Sequence, residues 1–444
     1  MHANNTYLRR LLIATMLVLL LGHGSHAQQA NTTISVWPNG KKGAVSLTFD
    51  DGSINQFTVA LPILNRIKIP ATFFIITGQI PGSQYQGKFI GRPVEQIIKE
   101  TATVKTNKDN FFERASAIPF LGYAGTLEYH TNAGSIYDEG GEAKANEAYA
   151  IIDEGYRKVR AGEFKPQENG DHRSGVTWEQ IKTFAAQGHE FSSHTVTHPR
   201  LAVLDEVNML HELEKSKEEI RKQLGDRYTF SAEGPYGTEN ERVMQYMYKI
   251  YPALRNRMPE KFLTELNRSS KVTPGTSKKE YVQWQRGATT KTPLPMMKSW
   301  VDTVASHTNN WLVLVFHGVD GIGYEALSHE VLDPYFQYIK QHDSDLWIAT
   351  FGDVAKYMRE RMNATVKVNE SKENISITLT HSLGEAYNLP LTLRSIVPGT
   401  WKEASIKQGS KEIKTAVVKN AKGNFVEYQA MPNQSTIVIS PLTK

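Results

Sequence analysis

Ala44-Val45-Ser46-Leu47-Thr48-Phe49, followed by Asp50-Asp51-Gly52, is the stretch on which the reading of this chain turns. Six residues rich in β-formers make a short strand, and two carboxylates stand at its end. Neighbouring side chains in a regular strand point to opposite faces, so successive aspartates cannot both serve one pocket from within it. They can where the strand stops, and Gly52 supplies the freedom for a sharp turn. In α/β folds, ligands collect at the carboxyl ends of strands. Taken alone, Asp-Asp-Gly reads more readily as a plain turn, so its meaning depends on the rest of the chain.

Working outward, Pro70–Ile76 (PATFFII) is a second strand-like run, and Trp311–Phe316 (WLVLVF) is a continuous apolar run suited to a strand buried on both faces. Between them, Val207, Leu210, Leu213, Ile220 and Leu224 recur at helical spacing over Leu204–Leu224, and Gly225 is a natural stop. Strand-like and helix-like patterns alternate over residues 34–362, which predicts an α/β domain. From Thr365 the helical patterns vanish. Ile375/Ile377/Leu379, Leu389/Leu391/Leu393 and Ile437/Ile439 alternate strictly, which predicts a small β-sandwich over residues 365–444.

The composition is that of a folded chain: 444 residues, 40% hydrophobic and 22% charged. No cysteine is present, which excludes disulfides, thiolate metal sites and cysteine nucleophiles, and leaves His, Asp and Glu as the strong metal ligands. The net charge of +5 is spread without a basic run and argues against nucleic acid as a partner. Arg9-Arg10, the apolar run Leu11–Leu21 and the small-x-small site Ser25-His26-Ala27 form the pattern of a secretory signal peptide over residues 1–27, cleaved near Ala27. The apolar run is short of the roughly 20 residues a membrane span needs. The expectation is a secreted or periplasmic protein with no stable membrane anchor after cleavage.

Gly188–His198 (GHEFSSHTVTH) carries two histidines four apart, His194 and His198, which on one face of a helical turn would clamp a single metal. Thr195 stands where a zincin would have its glutamate base, so a base must come from elsewhere, and Asp50-Asp51 can supply it. His189 falls outside the pair and reads as structural. His317 ends the WLVLVF run, a position like that of the aspartates. Two histidines and one carboxylate fill three positions of a divalent metal and leave one for water, as in catalytic sites. A second carboxylate can take a proton, and a separate histidine can return one to a leaving group.

These segments resemble the polysaccharide deacetylases, or family-four carbohydrate esterases, with their NodB-type homology domain. TFDDG (Thr48–Gly52) with IPATFFI (Ile69–Ile75) resembles that family's first motif and second strand, GHEFSSHTVTH its second motif, and WLVLVFHG (Trp311–Gly318) its fifth. The resemblance implies a distorted (β/α) barrel with fewer than eight full strands. It implies Asp50 as catalytic base, Asp51, His194 and His198 as metal ligands, and His317 as general acid. It also implies a divalent metal, usually zinc with cobalt or nickel as substitutes, and an acetylated oligo- or polysaccharide as substrate, its acetyl on nitrogen or oxygen.

Three departures accompany the resemblance. The family's Arg-x-Pro-Tyr motif is matched by Glu233-Gly234-Pro235-Tyr236, with glutamate in place of the arginine that normally pairs with the base. Loss of that cation would raise the pKa of Asp50, while the Tyr236 backbone N–H can still complete an oxyanion site. The region of Val282-Gln283-Trp284 keeps a tryptophan but no Asp-x-x-Asp-Trp, so no partner for His317 is evident. Between Asp51 and His194 lies an insertion of about residues 81–175, with aromatic clusters and a helical stretch near Glu142–Arg160. Such a segment beside a site more often shapes a substrate groove than performs chemistry, and its His130 and His172 read as non-ligands. Two rival functions remain: an impaired glycan-binding protein on this scaffold, and a hydrolase of small amides.

Overall fold

The computed structural model describes residues 32–167, 175–237, 240–255, 282–371, 373–421 and 423–442. The signal-like stretch 1–27 and His172 lie outside these. Contacts divide the chain into two units. One comprises Val36–Asn363 and Ser382–Leu389; the other comprises Ala364–His381, Pro390–Lys444 and, of the described residues before Val36, positions 32–35.

The first unit is built on a parallel sheet of eight strands: β1 (Gly43–Asp51), β2 (Thr72–Ile75), β3 (Glu190–Ser193), β4 (Ser231–Ala232), β5 (Ala253–Leu254), β6 (Val282–Gly287), β7 (Asn310–Phe316) and β8 (Leu346–Ile348). The order is β5-β4-β3-β2-β1-β7-β6, with β8 pairing the first residues of β1. β4 and β5 have only two residues each, so the barrel has fewer than eight full strands, as expected.

An aromatic ladder sets the register. Phe316 stands opposite Phe49, Phe49 opposite Phe73, and Phe73 opposite Phe191. Their rings lie 5.1, 5.1 and 5.2 Å apart, and all four are buried. Each such pair contributes about 0.5–1.5 kcal/mol beyond its buried area, and a one-residue slip would turn every ring out of the core. The ladder runs through the carboxyl-terminal part of the four strands, two residues from the end in three of them and at the last residue of β7. It therefore levels Asp50 and His317, the residues that follow Phe49 and Phe316.

The helix expected from Leu204 runs over Glu206–Leu224, with the Asp205 side chain capping the Asn208 N–H and Gly225 at its end. Leu213 and Ile220 are buried as the spacing predicts, but Val207 is 54% exposed. Glu212, Ser216 and Glu219 occupy the buried face as well, because that face holds loops of the site. The inserted segment forms helices Val94–Glu100, Phe111–Ala117, Thr126–Asp138 and Glu142–Arg160 around a small core of Ile97, Phe111, Ile118, Ile152 and Tyr156. The second unit is two antiparallel sheets of four and five strands, and Ile375/Ile377/Leu379 and Ile437/Ile439 point inward as their alternation predicts.

Candidate metal centre and its charge network

Five strands of the parallel sheet deliver a functional side chain at or just past their carboxyl ends. β1 ends in Asp50-Asp51, β3 is followed by His194, β4 by Glu233, β5 by Arg255 and β7 by His317. Asp51 itself takes a left-handed backbone (φ 74°), so the turn begins one residue before Gly52 and brings both carboxylates to one pocket. Thr195 (φ 68°), His198 (φ 63°) and Tyr236 (φ 60°) are left-handed too. Such backbone costs about 1 kcal/mol or more per residue and persists only where surroundings enforce it.

Those surroundings correct one expectation. His194–His198 is a loop, not a helical turn. It is tied down at several points. The Glu212 carboxylate accepts from the Val196 and Thr197 N–H groups (2.9 and 2.8 Å) and from the Thr197 hydroxyl (2.7 Å). The His198 N–H donates to Thr195 Oγ1 (2.9 Å), and the Thr77 and Gly78 N–H groups donate to the Thr195 and Val196 carbonyls. A Cβ on Gly78 would fall 2.6 Å from the Val196 carbonyl oxygen, so only glycine admits this approach.

The outcome is a convergent donor set. His194 Nε2 and His198 Nε2 lie 3.5 and 3.3 Å from Asp51 Oδ1, and Asp51, His194 and His198 together can hold one ion. The His194 Nδ1–H is donated to the Glu233 main-chain oxygen (3.0 Å), and the Glu233 carboxylate stands 2.7 Å from the same nitrogen, leaving Nε2 to face Asp51. A carboxylate behind a ligating imidazole fixes its orientation and raises its basicity. Burial alone would depress the His194 pKa, but Glu233 and Asp51 on its two nitrogens outweigh that and raise it well above 6.5. Burial holds His198 down to about 4, assisted by the neighbouring His194. Burial opposes ionisation of Asp51, but His194 and His198 keep its pKa below the ordinary value. A neutral imidazole, a basic imidazole and a carboxylate fit a divalent cation.

A second acidic cluster, Asp50 with His194 and Glu233, has similar spacing. It already contains a cation. The buried Arg255 guanidinium donates to Asp50 Oδ1 and Oδ2 (2.5 and 2.7 Å) and to Thr48 Oγ1 (3.0 Å), and it pairs with Glu233 Oε1 (2.8 Å). The expectation that Asp50 lacks a cationic partner is thus corrected. An arginine is absent at 233, but one from the end of β5 reaches the same carboxylate. Glu233 neutralises it on the far side and turns its other oxygen to His194.

His317 stands with Nε2 3.4 Å from Asp50 Oδ2, and the Tyr324 ring meets it edge-on at 5.3 Å. The buried Gln56 Nε2 donates to the carbonyls of Asp50 (2.5 Å) and His317 (2.7 Å), tying the two strand ends together. The Tyr236 ring lies 4.6 Å from His198, under the Arg200 guanidinium at 4.5 Å. His189 is structural as expected: Nδ1 accepts from the Ala71 N–H and Nε2 meets Asn65. His130 is buried, with Nδ1 on the Ala115 carbonyl and Nε2 accepting from the Arg200 N–H, and it lies outside the donor set. Trp284 is buried beneath the Arg286 guanidinium, and the Asp50 carboxylate stands beside His317. Arg255, Glu212 and Gln56 were not visible as site residues in the sequence. Arg255 follows a two-residue strand, too short to leave a period-two signal.

The sequence profile of the polysaccharide deacetylase family matches residues 38–103 and 133–250, less than half of the chain. A gellan lyase from Bacillus sp. is 23% identical over 279 residues, a match covering 59% of this chain and 11% of that protein. The chain thus spans about a tenth of the length of that relative. Among solved structures, a peptidoglycan deacetylase from Bacillus subtilis aligns at 14% identity, TM-score 0.32, covering 72% of this chain and 95% of its own. A second B. subtilis protein, described as a family 4 carbohydrate esterase, aligns at 13% identity, TM-score 0.33, covering 72% and 84%. No helix among the described residues is long and apolar enough to cross a membrane.

Proposed function

We propose that this chain is a metal-dependent hydrolase that removes acetyl groups from a carbohydrate. The observation that carries this reading is the meeting of Asp51, His194 and His198 at the carboxyl end of the sheet, with Asp50 and His317 beside them. The match to the deacetylase family over residues 38–103 and 133–250 supports the class of reaction.

A divalent ion held by Asp51, His194 and His198, most simply zinc with cobalt or nickel as alternatives, would polarise an acetyl carbonyl and acidify a water. Asp50 takes the proton from the attacking water, its carboxylate held in place by Arg255. His317, adjoining Asp50, protonates the departing amine or alcohol. The Tyr236 backbone N–H, presented by a left-handed turn beside His198, donates to the oxygen that becomes negative. The same residues serve N-acetyl and O-acetyl leaving groups. The reading includes export through the signal-like stretch 1–27, a catalytic domain over 34–362, and an accessory module over 365–444.

Glutamate at 233 would favour an impaired glycan-binding scaffold, and the Arg255–Asp50 pair supports the catalytic reading over it. Acetate release should be measured on N-acetylated glucosamine oligomers and O-acetylated xylan, with and without chelator. Release abolished by chelator and restored by metal is expected. No release from any acetylated glycan, or release indifferent to chelator and metal, overturns the proposal.

A further inference from the structure

A groove of about 1340 Å³ opens beside the metal loop. One wall is the loop itself, through Val196 and Thr197. The opposite wall is the inserted segment, through Phe120, Tyr123, Thr131 and Asn132. We propose that this groove binds the sugar units flanking the one that loses its acetyl group, so that the insertion selects oligomers over single acetylated sugars. The inference rests on the function proposed above and extends it.

Continuity with the site comes first. Thr131 lines the groove and its hydroxyl bonds Tyr236, whose ring rests on His198. Thr197, one residue before His198, lines it as well. A chain with one acetyl group at the donor set would therefore pass directly along this wall. Size agrees, since a single small ligand needs roughly 300–1,000 Å³ and this volume admits several sugar rings. So does the lining, which alternates aromatic faces for the apolar side of a sugar ring with amides and hydroxyls for its rim.

The wall is built rather than incidental. Tyr123 bridges Pro166, the Ala124 N–H donates to the Lys165 carbonyl (3.0 Å), and the Gln167 N–H donates to the Gly122 carbonyl (2.9 Å), so the middle of the insertion is laced to its last stretch at the rim. A Cβ on Gly87 would fall 2.4 Å from the Thr197 methyl and 3.3 Å from the Phe120 ring, so the chain there runs tightly across both walls. Residues 104–132, which supply most of the inserted wall, fall between the two stretches that the family profile matches. This part of the wall thus lies outside what the family profile describes.

The test compares kcat/KM of the full chain on acetylated glucosamine oligomers of increasing length with its rate on a small chromogenic acetyl ester. Two variants probe the groove: Phe120→Ala, which removes an aromatic face, and Asn132→Trp, which places bulk in the groove from an exposed helix position. Thermal melting verifies that each is folded. Expected are a rise of kcat/KM with chain length in the parent, a loss of about three- to tenfold on long oligomers in each folded variant, and an unchanged rate on the small ester. A parent rate that does not depend on length, folded variants that keep the parental dependence, or equal losses on the ester overturn the inference and leave the proposed function standing. A parent that releases acetate from no glycan overturns the proposed function and the inference with it.

Discussion

Replacing Arg255 with alanine should damage both stability and turnover, and adding Glu233→Arg should repair much of that damage. Arg255 is 2% exposed and lies between Asp50 and Glu233, which are 2% and 3% exposed. Its removal deletes two contacts to Asp50, one to Glu233 and one to Thr48, and takes the guanidinium from between two buried carboxylates. Breaking a buried pair from one side costs about 3–5 kcal/mol, a fall of roughly 4–7 °C in Tm for a unit of this size. Turnover should drop about 10²-fold as the base loses its orientation. Glu233→Arg alone places two guanidinium groups together and should be destabilised as well. The double variant restores one cation beside Asp50. His194 then still has the main-chain oxygen of residue 233 at 3.0 Å for its Nδ1–H. Melting curves and acetate release on the four proteins form a double-mutant cycle, and a coupling of about 2 kcal/mol or more in Tm-derived stability is expected. Simple additivity of the two losses, or a parental Tm and turnover for Arg255→Ala, would refute the exchanged-pair account.

Asp51→Ala with His198→Ala should abolish binding of about one divalent ion per chain, as measured by elemental analysis; stoichiometric metal retained in the double variant would remove these ligands. Asp50→Asn should keep the ion and lose about 10²–10⁴-fold in turnover, and near-parental activity in that variant would remove the base assignment. His130 is buried and held at about 4 in the folded chain against 6.5 ordinarily. The unfolded chain therefore binds more protons between these values. Its contribution is fully present above about pH 6.5 and is lost as pH falls toward 4, by about 3 kcal/mol. Denaturant midpoints across that range should fall less steeply for His130→Gln than for the parent, and parallel slopes would contradict this role.

Much of the site was legible because its signals are local. Asp50-Asp51-Gly52, His194 with His198, and His317 after WLVLVF each combine a strand pattern with chemistry at its end, and strand ends in a parallel sheet share one rim. The inserted helix Glu142–Arg160 was legible in the same way, from periodicity. By itself, then, the sequence determined the α/β class, the antiparallel region after Thr365 and the residues that meet at the rim. The tertiary structure alone decided the rest. It replaced the expected helical turn at His194–His198 with a loop held by Glu212. It brought Arg255 to Asp50 across 205 positions of sequence and turned Glu233 toward His194. It also decided which residues of the insertion line the groove expected there, Phe120 and Tyr123 among them. The physical reason is common to all of these. A buried charge is stable only beside its counter-charge, and which residues become neighbours depends on strand register and loop path, which local pattern does not encode.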